Sequence, residues 1–124
     1  MTTPCPCGSG KAFEACCGPY LAGAPAPTPE ALMRSRYTAY TLGDKDYLER
    51  TWHPSTRPAD LELEKDVKWL GLKVVEARGG EQDETGTVRF VARFKVGGRG
   101  HRMEETSRFV REAGRWFYLD GDVS

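Results

Sequence analysis

Four cysteines carry the most chemistry in this sequence: Cys5 and Cys7, one residue apart, and the adjacent Cys16 and Cys17, with eight residues between the two pairs. Zinc takes four ligands at tetrahedral corners, and thiolate sulfur is among the soft donors it prefers. Two close pairs joined by a short loop supply such a shell. Four sulfurs also close it, with no position left for a water, so the expected ion is one structural zinc. Gly8, Ser9 and Gly10 allow the loop to turn tightly and aim backbone amides at the sulfurs. Residues Lys11 to Cys17 are expected to form one or two helical turns that return the second pair to the first. The alternatives are free thiols or a redox disulfide; neighbours such as Cys16 and Cys17 rarely bond to each other, and a Cys5–Cys7 bridge closes a short, strained ring. Gly8-Ser9-Gly10-Lys11 fails as a phosphate loop, because Cys5 stands where the first glycine is needed and Ala12 where the metal-binding hydroxyl is needed.

All four cysteines fall within the first 17 of 124 residues, whereas disulfides that staple a small secreted fold are spread along the chain. Lys plus Arg and Asp plus Glu both number 18, which leaves no global field to draw in nucleic acid or an anionic membrane. No run of about eighteen apolar residues is present, and Met1-Thr2-Thr3-Pro4 has neither the basic start nor the apolar stretch of a signal peptide. A cytoplasmic protein without membrane contact is expected. By composition the chain divides into a cysteine knuckle at 1–20, a small-residue, Pro-containing linker at 21–28 and a folded body at 29–124.

The body must position whatever else is functional. Thr28 can cap a helix, Pro29 suits its first turn, Glu30 complements the positive end of its dipole and Gly43 stops it, which predicts a helix over Pro29–Leu42. On it Met33, Arg36, Tyr37 and Tyr40 share one side, with Leu32 and Ala39 on an adjoining stripe. Asp44 caps a second helix, Lys45 to Trp52, which must end at His53 because Pro54 follows. The charged stretch 60–66 is a candidate helical turn. From Val67 the apolar period changes to two, giving four strands. The first, Val67 to Ala77, is apolar on both faces and so expected to be buried on both. The second, Thr87 to Val96, places Val88, Phe90, Ala92, Phe94 and Val96 on a core face. Gly97-Gly98-Arg99-Gly100 leads to a third over His101–Arg111, and Ala113-Gly114 to a fourth over Trp116–Asp120. Helices followed by an antiparallel meander indicate an α+β fold, with a conical cavity between helices and curved sheet.

Acid–base chemistry in such a cavity needs a carboxylate, imidazole or phenol in apolar surroundings. The candidates are Tyr37, Tyr40, His53, His101, Glu105 and Asp120. Each has a plainer structural reading, and these are favoured: His53 ends a helix, the tyrosines are core residues with bonded hydroxyls, and Glu105 pairs with Arg108, Arg36 or Arg34. Phe13 and Tyr20 are candidate anchors for a protein partner if exposed, or packing residues if not. Arg89, Arg93, Lys95, Arg99 and Arg102 form a basic stripe that reads more simply as a solvated strand face than as a nucleic-acid site.

The cysteine segment resembles the SEC-C motif, a zinc knuckle with Cys-x-Cys followed eight residues later by Cys-Cys or Cys-His. Leu32-Met33-Arg34-Ser35-Arg36-Tyr37, Thr51-Trp52-His53-Pro54, Trp69-Leu70-Gly71-Leu72, Phe90-Val91-Ala92-Arg93-Phe94, Glu105-Thr106-Ser107-Arg108-Phe109 and Trp116-Phe117-Tyr118-Leu119-Asp120-Gly121 resemble the YchJ-like family of small bacterial proteins. The resemblance covers nearly the whole chain and implies a nuclear transport factor 2-like cone, a fold used by enzymes and by binding or dimerising modules alike. It implies no reaction. Many relatives carry a second knuckle after the sheet, which this sequence lacks, and many SEC-C motifs continue into lysines where this one reads Ala12-Phe13-Glu14-Ala15. Attraction to a ribosome or chaperone is therefore expected to be weaker. The expectation is a zinc-binding accessory module whose knuckle docks to a protein or ribosomal partner; the alternative is a small-molecule-binding protein or acid–base enzyme that uses the cone.

Overall fold

The computed structural model describes residues 3–61, 63, 66–80 and 82–123. A 3-10 turn at Phe13–Ala15 and a short helix α1 at Gly18–Leu21 precede the longest helix, α2, at Pro29–Leu42, and a six-residue α3 at Lys45–Arg50. Four strands follow, β1 at Val67–Arg78, β2 at Thr85–Val96, β3 at Arg99–Glu112 and β4 at Arg115–Val123, paired antiparallel in the order β1-β2-β3-β4. Helices packed on one antiparallel sheet make this the expected α+β architecture.

α2 starts and stops where its punctuation requires. Thr28 Oγ1 accepts from the Ala31 amide at 3.1 Å, Pro29 occupies the first turn, and Gly43 takes the left-handed conformation at φ 71° that closes the C-terminus. The Asp44 carboxylate caps α3 by accepting from the Tyr47 amide at 3.1 Å. α3 ends at Arg50 rather than Trp52, because the chain leaves it to meet the sheet: the Tyr118 amide donates to Thr51 O at 2.8 Å and the His53 amide to Tyr118 O at 2.7 Å. This segment thereby satisfies backbone groups on the outer edge of β4. The candidate turn at 60–66 falls in large part outside the described residues, and the described Asp60, Leu61, Leu63 and Asp66 are not helical.

α2 lies across the sheet and is buried on three sides. Leu32, Met33 and Tyr37 join Val88, Phe90, Ala92, Phe109 and Trp116 in one core cluster, and Ala39 joins Tyr47, Leu48 and Leu61 in a second. Ser35 is fully buried without penalty: its hydroxyl donates to Leu32 O at 2.8 Å and is 2.7 Å from the Tyr47 hydroxyl. The core face expected for β2 is the one observed, with Val88, Phe90 and Ala92 buried and Phe94 and Val96 half-buried.

β1 departs from expectation. Leu70 and Val75 are 49% and 46% exposed, so the strand is not buried on both faces. The register explains why. Trp69 pairs with Phe94 and Gly71 with Arg93, while Val74 pairs with Phe90 and Glu76 with Arg89, so Leu70 and Val75 are the extra residues of two bulges. Each bulge shifts the alternation by one, which keeps Trp69, Leu72 and Val74 on the inner face although their spacing in sequence is irregular. A strand with two phase shifts looks apolar on both faces in the sequence while burying only one.

Helix and sheet approach most closely where Pro29 meets the start of β2. A Cβ added at the buried Gly86 would lie 2.4 Å from Pro29 Cγ and 2.6 Å from Arg78 O, and neither the ring nor the paired backbone can withdraw cheaply. Gly86→Ala should therefore destabilise the protein by roughly 1–3 kcal/mol in urea unfolding, with the m-value unchanged.

Candidate functional site

The cysteine segment is a miniature hairpin. The Cys5 amide donates to Lys11 O at 2.9 Å and the Phe13 amide to Thr3 O at 2.8 Å, and Gly8 and Gly10 turn the loop with φ of 78° and 85°. A Cβ at Gly8 would be 3.2 Å from Leu72 O, so the loop also lies against β1. The expected helical return is a single 3-10 turn, Phe13–Ala15, after which Cys17 leads into α1.

The four sulfurs converge. All lie within 4.8 Å of one another, with Cys7 Sγ 3.6 Å and Cys17 Sγ 3.9 Å from Cys16 Sγ. Sulfurs on a tetrahedral zinc at about 2.3 Å are separated by about 3.8 Å along each edge, whereas a disulfide holds them at about 2.0 Å. The two separations suit a metal shell better than a disulfide, and the four cysteines could hold a metal ion. A hydrogen bond from Cys17 pulls the Cys7 thiol down to about 4, and the same bond, together with burial, pushes Cys17 up. The cluster favours a thiolate, which is the form that binds metal.

The sequence gives no sign of what surrounds these sulfurs. Cys5, Cys7 and Cys17 are 5%, 0% and 1% exposed and belong to the main core cluster; Cys16 is half-buried at its edge. Thr38 Oγ1, from the middle of α2, donates to Cys17 Sγ at 3.3 Å and is 3.7 Å from Cys5 Sγ. Arg34, one turn earlier on the same side of α2, donates through Nη1 to Cys7 O at 3.1 Å while its Nε pairs with Glu30. Ser9 Oγ is 3.1 Å from Cys16 Sγ. Such outer partners orient the ligands and spread their charge. Phe13 and Tyr20, the candidate partner anchors, are half-buried and packed against the core.

A cavity of about 380 Å³ opens between α2 and the concave face of the sheet. α2 contributes Met33, Arg36, Tyr37 and Tyr40, β1 contributes Trp69, β2 Phe90 and Phe94, β3 Met103, Glu105, Ser107 and Phe109, and β4 Tyr118. Of the six pocket candidates, Tyr37, Tyr40 and Glu105 are there and the other three are not. His53 points outward, its imidazole bonded to Glu112 and Ser55, because the backbone bonds that dock its segment on β4 turn it away from the sheet's inner face. His101 is exposed near the β2–β3 turn and stacks on the Phe94 ring at 5.3 Å, while Asp120 pairs with Arg108 at 2.5 Å. On the basic stripe, Arg89 and Arg102 both pair with Glu104, at 2.8 and 3.9 Å, which lowers its net charge.

Arg36 is the charged wall of the cavity and only 5% exposed. Its Nη1 donates to Leu48 O at 2.9 Å and Thr51 Oγ1 at 2.7 Å, and its guanidinium lies 4.5 Å from the Tyr118 ring centroid and 5.2 Å from that of Trp52. Burial lowers its pKa from the usual arginine value, against the pull of nearby tyrosines and Glu105. Among the described residues no carboxylate comes within ion-pair distance of it. Glu105 pairs with none of the three arginines expected: its carboxylate accepts from the Ser107 hydroxyl, Arg108 turns to Asp120 and Asp122, and Arg34 to Glu30.

The outer partners of the sulfurs can be tested one at a time. Thr38→Val keeps the shape of the side chain and removes its donor, and should weaken metal binding by about 10–100-fold and cost about 1 kcal/mol in stability. Competition with a chromogenic chelator and urea unfolding measure the two effects.

With this geometry in place, similarity to known proteins becomes informative. Residues 28–121 match the family described as YchJ, middle NTF2-like domain, and residues 1–19 match the SEC-C motif. A UPF0225 protein from Chromobacterium violaceum is 59% identical over 126 residues, covering 97% of this chain and 93% of that protein. A second, from Deinococcus radiodurans, is 55% identical with 94% and 87% covered. The solution structure of a SEC-C motif containing protein from Rhodopseudomonas palustris is similar with a TM-score of 0.86 at 40% identity, covering 97% of this chain and 98% of that one. The crystal structure of another from Psychrobacter arcticus gives 0.79 at 29% identity, covering 100% and 83%. Together the knuckle and the cone place this chain in the YchJ-like, UPF0225 family: a SEC-C motif followed by an NTF2-like domain.

Proposed function

We propose that this protein is a zinc-stapled binding protein, in which one structural zinc ion held by Cys5, Cys7, Cys16 and Cys17 locks the N-terminal segment to α2 and the cavity of the cone receives a small organic molecule. The supporting observation for the metal is the convergence of four sulfurs within 4.8 Å of one another, with three of the cysteines buried in the core of the body. Zinc is favoured over other cations because an all-sulfur, closed tetrahedral shell suits it. When bound, the ion supplies charge neutralisation and a rigid cross-link, and no position for a reacting group.

The ligand reading rests on the cavity remaining open, with aromatic walls and one buried cation, in place of a centre filled by Phe and Trp side chains. Binding is favoured over acid–base catalysis: neither histidine is among the residues that line the cavity, and Glu105 is the only carboxylate among the described residues that do. A docking role for the knuckle toward a protein or ribosome has weaker support, since Phe13 and Tyr20 pack inward and the lysine-rich continuation is missing.

Reduced, purified protein should contain one zinc per chain by elemental analysis. Chelation should lower its melting temperature by about 10 °C or more, because the sulfurs belong to the same core as α2 and the sheet. Protein without stoichiometric zinc, or a melting curve indifferent to chelator, would sink the staple. Denatured extracts of the native protein, read by small-molecule mass spectrometry, should release a stoichiometric organic ligand that Phe90→Trp, which fills the cavity, no longer retains.

A further inference from the structure

The charges inside the cavity are unusual in their pairing. Arg36 is buried, and its contacts are a carbonyl, a hydroxyl and two aromatic rings. Two of the five N–H donors of a guanidinium are taken up by Leu48 O and Thr51 Oγ1. Glu105 lines the same cavity, close enough for its field to act on both Arg36 and Tyr118, yet beyond ion-pair distance from Arg36. Glu105 is half-buried, and opposite charges that share a cavity ordinarily close on one another, since each then relieves the other's desolvation.

Glu105 is held where it is by two local constraints. The Ser107 hydroxyl, on the same face of β3, donates to Oε2. Across the β3–β4 pair, Gly121 leaves the space the carboxylate occupies: a Cβ there would stand 2.5 Å from Glu105 Oε2. Arg36 is held from the other side by α3 and its C-cap. The two charges are thus fixed on opposite elements and face a common space whose other walls include Trp69, Phe94, Met33, Met103 and the tyrosines Tyr37 and Tyr40.

The geometry points to a zwitterion as the ligand: an apolar α-amino acid, with its carboxylate on Arg36, its ammonium on Glu105 and its side chain among the rings and methionines. A carboxylate satisfies the free donors of the guanidinium, and an ammonium satisfies the carboxylate that Ser107 and Gly121 hold in place. The ligand brings no net charge to a cavity whose own two charges cancel. A simple carboxylic acid would bring an uncompensated anion beside Glu105, and a simple amine an uncompensated cation beside Arg36, each unfavourable in a low-dielectric space. The volume, about 380 Å³, accommodates a side chain as large as phenylalanine.

This inference rests on the cavity being a ligand site, and the test separates the two ideas. Full-length, zinc-loaded protein is titrated calorimetrically with L-phenylalanine, L-leucine, 3-phenylpropanoate, 2-phenylethylamine and the neutral 3-phenylpropanamide. The amino acids should bind most tightly, with the acid and the amine each weaker by about tenfold or more. Glu105→Gln should remove the advantage of phenylalanine over 3-phenylpropanoate while leaving the latter at least as tightly bound. Gly121→Ala, which displaces the carboxylate without neutralising it, should lower phenylalanine affinity in the same direction, and circular dichroism confirms that both variants are folded. If the amide or the acid binds as well as the amino acid, the zwitterion is wrong and the cavity remains a ligand site. If none of the five binds and Phe90→Trp retains the same extractable molecules as the native protein, the cavity reading falls with it.

Discussion

The packing of four sulfurs against the middle of α2 is the contact on which the rest of the molecule turns. Thr38 and Arg34 reach the knuckle from one side of that helix, Ser35 and Ala39 face α3 from the next, and Met33, Arg36, Tyr37 and Tyr40 form the wall of the cavity on the third. These sets fall on successive arcs of a 3.6-residue helix, so one element has no free side through most of its length. A helix held on three sides can neither roll nor slide without breaking contacts elsewhere. The cavity wall and the sulfur cluster are thereby coupled through a single element, α2.

That coupling bears on Arg36. A guanidinium this deep is tolerated because its surroundings are arranged before any ligand arrives: a carbonyl from the end of α3, the Thr51 hydroxyl and the faces of Trp52 and Tyr118. The parallel bridge between Trp52 and Tyr118 and the backbone bonds from Thr51 and His53 tie those groups to β4. The same bonds turn His53 outward, so one local arrangement both supports the buried cation and keeps an imidazole out of the cavity. On the far wall, the Tyr118 hydroxyl titrates well above its usual value because of burial and the neighbouring Glu105 charge, and it remains a neutral donor at any physiological pH.

The sheet contributes shape. Bulges at Leu70 and Val75 bend β1, and Leu119 is the extra residue where β4 shifts register against β3 between Arg108 and Phe109. Such insertions increase the local twist and curve a sheet toward one face. The curvature leaves room between Trp69, Phe94 and α2, where a flat sheet would let the helix settle onto the strands.

Short-range chemistry made several parts of this protein readable in advance. Thr28, Pro29 and Gly43 bound α2, Asp44 caps α3, and the alternation of Val88 to Val96 marks the inner face of β2, because capping, proline geometry and strand period depend only on residues near one another in the chain. The cysteine spacing announced a cluster able to hold a metal ion for the same reason, since all four sulfurs lie within one short segment of chain. The sequence could not reveal that Thr38 and Arg34 serve that shell, for they lie 21 and 27 residues from the sulfur and carbonyl they touch. Nor could it distinguish an apolar two-faced strand from one with two phase shifts, because a bulge is defined by the partner strand. Which titratable groups share the cavity was likewise decided in three dimensions: Glu105 and Arg36 meet there because α2 crosses β3, while His53, His101 and Asp120 are claimed by neighbours that only the folded sheet brings to them.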